Sequence, residues 1–345
     1  MVHDKVNLFS RPWSAAWHDA ALGQAGFYRR TTGAPTRHFR TSVNVGALFT
    51  RALAEVVIGV DRDLGQPAAL DLFDLGSGAG ELVSGIAQHL PEALARRIRY
   101  TAVDVRPRPS DLDPRIGWTQ AVLPAGLPER ITGLVLAHEL LDDVPLDVVV
   151  VDPHGVVRLA FVTTDGVEEL GPALDDDAAW AQWGLNASQA RDWLSAWWPV
   201  HEVGDRAEIG LPREALWRAI VSRLDAGTAL AIDYGHTRAE RQDGRWRHGS
   251  LVGYDGGRTV PPIPDGGCNL TAHVAVDALA YGVGADLVRQ HVALPTHGLD
   301  SRPPEITLAH EDSASYLVAL SAAAQAAELL DPSGLGSFWW IRMDR

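Results

Sequence analysis

The stretch LFDLGSGAGEL, residues 72–82, joins the end of an apolar run to an acid, three alternating glycines and a second acid. The run leading into it, ALDLFDL, is rich in strand-forming residues, and the ELVSGIAQHLPEALARRI that follows has apolar positions at helical spacing. Strand, glycine loop and helix in that order bring bare backbone close to a ligand. Gly76, Gly78 and Gly80 spell G-x-G-x-G, whereas a dinucleotide fingerprint would be G-x-G-x-x-G with a small residue at position 81. Glu81 stands there instead. Its carboxylate suits a helix N-terminus and would repel a pyrophosphate, so the loop is read as holding a ligand without phosphates.

S-adenosylmethionine (AdoMet) fits that description. It has no phosphate, its amino-acid end needs close backbone approach, and it carries a sulfonium cation. Asp74, at the strand end, is assigned to the ammonium group, with Ser77 in the loop beside it. The next strand, RYTAVDV, brings Asp104 roughly 20 residues after the glycines, the separation expected of a carboxylate that accepts ribose hydroxyls. Gln120, after IGWTQA, is placed at the adenine edge, and His138, at the end of ITGLVLAHE, is counted with the cofactor residues.

Strands alternating with helices imply a Rossmann-like, doubly wound and mostly parallel sheet. Ligands sit beyond the carboxyl ends of such strands, which puts residues 76–80, Asp104, Glu139 and Asp233 along one edge. Four segments are expected: an N-terminal helical segment (1–68, broken by TTGAPT), a first half-domain (69–150), an inserted subdomain (151–225) and a second half-domain (226–345). The insertion reads as a hairpin around DPHG followed by a tryptophan-rich helical stretch, residues 178–198. EALWRAIVSRLDAG reads as a helix stopped by its glycine, and ADLVRQHVAL and GSFWWIRM read as strands. The Gly, Pro and Arg-rich loop from residue 235 to 267 is too long to be idle.

A formal net charge of −14 argues against nucleic acid as a partner. No long apolar run suggests a membrane span, and the N-terminus lacks the features of a targeting peptide, so a cytoplasmic protein is expected. Cys268 is the single cysteine, which excludes a disulfide framework or a cysteine-based metal site. Lys5 is the single lysine among 30 basic residues, which removes Walker-type phosphate binding and Schiff-base chemistry from the fold interior. The 12 tryptophans include Trp180 with Trp183 and Trp193 with Trp197 at helical spacings. Core packing explains them first, and a homodimer surface on the insertion second.

HELLDDVP, residues 138–145, falls short of the zinc helix HExxH, because Asp142 stands where the second histidine belongs. No metal is assigned. Glu139 and Asp142 are instead assigned to the methyl acceptor, where paired carboxylates orient a cationic group such as a guanidinium. Asp142 as a turn cap and Glu139 as an ordinary satisfied polar group is the alternative.

In combination these segments resemble the MidA family of methyltransferases, which includes the mitochondrial complex I assembly factor that methylates an arginine. GFY (26–28) and HFRTSVNVGALF (38–49) resemble the family's opening, and FDLGSGAGEL its glycine loop. LAHELLDDVP resembles A-N-E-x-x-D-A-L-P, matching at Glu139, Asp142 and Pro145. AIDYG, GSLVGY, NLTAHV and LDPSGLGSFWWIRM follow the family's D-Y-G, G-T-L-x-x-Y, D-I-T-x-H-V and closing segments in order. The resemblance implies an AdoMet-methyltransferase fold and methylation of an acceptor, a protein arginine among the candidates. It also brings Asp233, Tyr234, Thr271 and His273 near the acceptor, with His273 as a general base or as a structural hydrogen-bonding residue. The chain departs from the pattern at Ser77, Ala79, Glu81, His138, Asp143 (family Ala) and Asn269 (family Asp). Two rival functions fit the same sequence, a non-catalytic AdoMet-binding assembly protein and, against Glu81, a nicotinamide-dependent oxidoreductase.

Overall fold

The computed structural model describes residues 10–30 and 42–345. The TTGAPT break and the HFRT of the opening motif lie outside the described residues. By contacts the chain forms two compact units. Residues 140–219 and 235–283 belong to one, with described residues 10–30; residues 42–139, 220–234 and 284–345 belong to the other. The boundaries of these units fall at 139/140, 219/220, 234/235 and 283/284, set by long-range pairing.

The second unit is built on a seven-stranded sheet. Its strands are β1 (Leu70–Leu75), β2 (Ile98–Asp104), β3 (Gly117–Gln120), β4 (Ile131–His138), β5 (Leu224–Asp233), β6 (Asp286–Arg289) and β7 (Trp339–Asp344). Their order is β6-β7-β5-β4-β1-β2-β3. The run from β3 to β5 is parallel, and β7 alone runs antiparallel to its neighbours β5 and β6. β1 is buried at all six positions, as a parallel strand covered on both faces must be. Helix α1 (Ala47–Asp63) and helix α2 (Glu81–His89) share one apolar core with these strands; Phe49, Leu53, Val57, Val83 and Ile86 are fully buried in it. This is the expected doubly wound α/β architecture, with strand order reversing between β1 and β4, where ligands bind.

Two readings of this unit are corrected. LDAG is not a helix stop: the helix ends at Val221 and β5 begins at Leu224. Gly227 lies within β5 at φ 120°, opposite Gly133 of β4, and a Cβ there would sit 2.0 Å from the Gly133 carbonyl oxygen. The glycine serves close strand packing at a φ that L side chains rarely adopt. ADLVRQHVAL is a short strand to Arg289 followed by a helix, Gln290–Thr296, because the buried Gln290 amide is drawn to Ser42 Oγ and the Leu335 carbonyl.

The first unit carries the expected hairpin, Asp147–Val151 against Val157–Val162, extended by Glu168–Ala173, Arg206–Ile209 and Arg11–Pro12 into a five-stranded sheet. The tryptophan-rich stretch is two helices, Asp177–Ala181 and Ala187–Trp197, capped by Asp176 and Asn186. Trp180 and Trp193 are buried, with indole N–H groups donated to the Ala173 carbonyl and Glu214, whereas Trp183 is 44% exposed. Among the described residues no helix is long and apolar enough to cross a membrane.

Candidate active site

β1 delivers Leu75 directly into the glycine loop. Gly76, Gly78 and Gly80 have φ of 69°, 68° and 84°, all in the left-handed region that L side chains avoid. At Gly80 a Cβ would also lie 2.5 Å from Leu112 Cδ1. The backbone is folded back on itself at the start of α2 and presents no side chain at alternate positions. Glu81 accepts the Ala79 N–H at 3.0 Å, so its carboxylate caps the loop from within and keeps negative charge at the helix N-terminus.

Asp74 is buried below that loop. Its carboxylate accepts the Ser77 hydroxyl at 2.5 Å, and burial pushes its pKa up to about 6, against the lowering effect of the Ser77 and Val83 hydrogen bonds. With Ser77 it braces the loop from below. Asp104, buried at the end of β2, accepts the Gly78 N–H at 2.9 Å on one oxygen. On the other it accepts the Arg106 backbone N–H at 2.9 Å and Arg106 Nε at 3.1 Å. The acid thus ties the first strand-end loop to the second. Arg106 is the residue the sequence reading missed; the D-x-R spacing was its only signal.

Gln120 ends β3 in register with Asp104, and its amide donates to the Val105 carbonyl at 3.1 Å. His138 ends β4. Its ring packs on Phe49 with centroids 5.1 Å apart, its Nε2 lies 3.2 Å from Glu139 Oε1, and burial lowers its pKa to about 3, so it is neutral. Glu139 follows at φ 49°, an uncommon conformation for a non-glycine residue, held by its N–H on the Ile232 carbonyl of β5. Strain of this kind persists where neighbouring structure over-determines it, and it clusters at functional sites. Asp233 ends β5, its carboxylate accepting the Tyr234 N–H. The expected edge therefore exists: residues 76–80, Asp104, Gln120, His138, Glu139 and Asp233 all lie at carboxyl ends of parallel strands.

In the other unit, Asp142 Oδ2 accepts the Thr271 hydroxyl at 2.7 Å. Arg213, buried, donates to the carbonyls of Asp142, Val144, Ala272 and His273, pinning the acidic turn and the NLTAH segment to one cation. His273 sits in an aromatic box, its ring 4.5 Å from Trp246 and 6.1 Å from His236. Burial first, and Arg213 second, lower its pKa to about 4. Near neutral pH this imidazole accepts hydrogen bonds but holds a proton poorly, which favours the structural reading over the general base.

Residues 52–292 match the model of a family described as "putative S-adenosyl-L-methionine-dependent methyltransferase". The chain belongs to this family. A solved structure from Burkholderia thailandensis, bound to S-adenosyl-homocysteine, is similar over 97% of this chain and 88% of its own, with TM-score 0.74 and 23% identity. The native structure of an uncharacterized protein from the same organism gives TM-score 0.72 and 23% identity over 97% and 87%. No curated protein matches the sequence. The cofactor of this methyltransferase is AdoMet. The loop fits it: three left-handed glycines leave room for close approach, and Glu81 disfavours phosphates. Bound there, AdoMet would supply a methyl group on a sulfonium for in-line displacement, a reaction governed by positioning.

Proposed function

We propose that the protein transfers a methyl group from AdoMet to the guanidinium of a protein arginine, as the resemblance to the MidA family implies. Asp104 holds the ribose hydroxyls, the glycine loop accepts the amino-acid end, and Gln120 and His138 line the cofactor's rim. Glu139 and Asp142 orient the acceptor through charge-assisted hydrogen bonds. The observation that carries the reading is the strained Glu139 backbone at the end of β4, one residue beyond a neutral histidine and on the same strand-end edge as the glycine loop. A conformation that costs energy is retained where it aims a functional group.

The test is transfer of tritiated methyl from AdoMet to a library of arginine-containing peptides, with lysine-substituted copies alongside. Label in the arginine set alone is expected. Label in the lysine set, or in neither despite measured AdoMet binding, would overturn the arginine assignment.

A further inference from the structure

Two departures from the family pattern meet in space. Asn269 Nδ2 donates to Asp143 Oδ1 at 2.9 Å, and the Tyr28 hydroxyl contacts both Asp143 Oδ2 and, at 2.9 Å, Asn269 Oδ1. Three side chains thus form a closed ring of three polar contacts. Each contact needs one hydrogen. The amide contributes one N–H to the ring and the phenol one O–H. The third must come from Asp143, and exchanging the amide's oxygen and nitrogen leaves this count unchanged.

The setting agrees. Asp143 adjoins Asp142, which raises its pKa, and lies in the field of Arg213, which lowers it while donating to nearby backbone carbonyls. Burial and Asp142 both push the Asp143 carboxyl well above its ordinary range. Asn269 and Thr271 are two residues apart on one strand and so lie on the same side of it, one gripping Asp143 and the other Asp142.

We propose that the Tyr28–Asp143–Asn269 ring keeps Asp143 as a neutral carboxylic acid, so that the adjacent pair carries no more than one charge and carries it on Asp142, and that Asp143 is a positioning residue for Asp142. The positioning role rests on the methyltransferase reading above; the protonation does not. A single carboxyl in the ring suffices, whichever end supplies it.

Infrared difference spectra of the intact protein between pH 5 and 9 test the protonation. A protonated-carboxyl band present at pH 7 and lost in Asp143→Asn is expected; absence of such a band in the wild type overturns the proposal. Melting curves give a second readout. Asp143→Asn, whose amide supplies the missing hydrogen, should melt close to wild type and lose part of the fall in stability toward high pH. Asp143→Ala should melt lower, and Asp143→Ala combined with Asn269→Asp should recover most of the loss. Strictly additive effects in the double variant would overturn the single-carboxyl rule. With arginine peptides as acceptors, Asp143→Ala should raise KM about tenfold and Asp143→Asn should restore most of that loss; an Asp143→Ala variant that keeps KM within about threefold of wild type would remove the positioning role. If the wild type methylates no peptide, the function proposed above fails while the infrared and melting results still decide the ring.

Discussion

Replacing Asp104 by asparagine preserves shape and removes charge, which isolates what the carboxylate contributes. Its oxygens accept from Gly78 N, Arg106 N and Arg106 Nε at 2.9, 2.9 and 3.1 Å. A charge-assisted hydrogen bond contributes about 1.5–3 kcal/mol and a neutral one about 1, so two ribose hydroxyls would lose about 2 kcal/mol together. That is roughly a 30-fold rise in Kd. The new amide nitrogen must also face either the Gly78 N–H or the two Arg106 donors, leaving at least one N–H without its acceptor and loosening the loop. Calorimetric titration should show AdoMet and S-adenosylhomocysteine weakened alike, since they share the ribose. A folded variant that binds both with wild-type affinity would refute the assignment of Asp104. Arg106→Ala supplies the control: with its competing cation gone, Asp104 should bind AdoMet at least as tightly as before. Weakening as severe as in Asp104→Asn would transfer the ribose contact to Arg106.

Gly80→Ala adds a Cβ against Leu112 at a left-handed φ, and should cost at least about 1–2 kcal/mol of stability together with AdoMet affinity; an unchanged melting temperature would refute the tight approach. Glu139→Gly should relieve a strained backbone, raising stability by up to about 1 kcal/mol while abolishing transfer, whereas Glu139→Gln should spare AdoMet binding and reduce turnover; loss of binding in the glutamine variant would move Glu139 into the cofactor site. Because the folded pKa of His273 is depressed to about 4, its contribution is present above pH 6.5 and is lost at about 1.4 kcal/mol per pH unit as acid is added, so His273→Phe should flatten the acid limb of a stability profile. Asp74 works in the opposite sense: its folded pKa of about 6 removes about 3 kcal/mol as pH rises from about 4 to above 6, a slope that Asp74→Asn should erase and an unchanged slope would disprove.

The cofactor edge was legible because its signals are local. Glycine at alternate positions reports a left-handed loop, and an acid at a strand end reports itself through spacing. Asp74 was legible as the strand-end acid, but its hydrogen bond from Ser77 was not, since that depends on how the loop turns Ser77 back toward it. Gly227 was misread because a glycine after an apolar helical run looks like a stop, and only the neighbouring strand shows that β5 needs it. The Tyr28–Asp143–Asn269 ring joins residues from three distant segments, a relation no window of sequence contains. Each member was visible only as an isolated departure or motif residue.

The repeated crossing of the chain between units has a consequence for synthesis on the ribosome. β4, the buried run ITGLVLAH, emerges long before the strand that covers its open side, since β5 begins only at Leu224. At roughly 5–20 residues per second, that side stays uncovered for about 5–20 seconds. An apolar strand edge left open for so long is a template for pairing with other nascent chains. The protein's yield in the cell would then depend on shielding during that interval as much as on the stability of the finished fold.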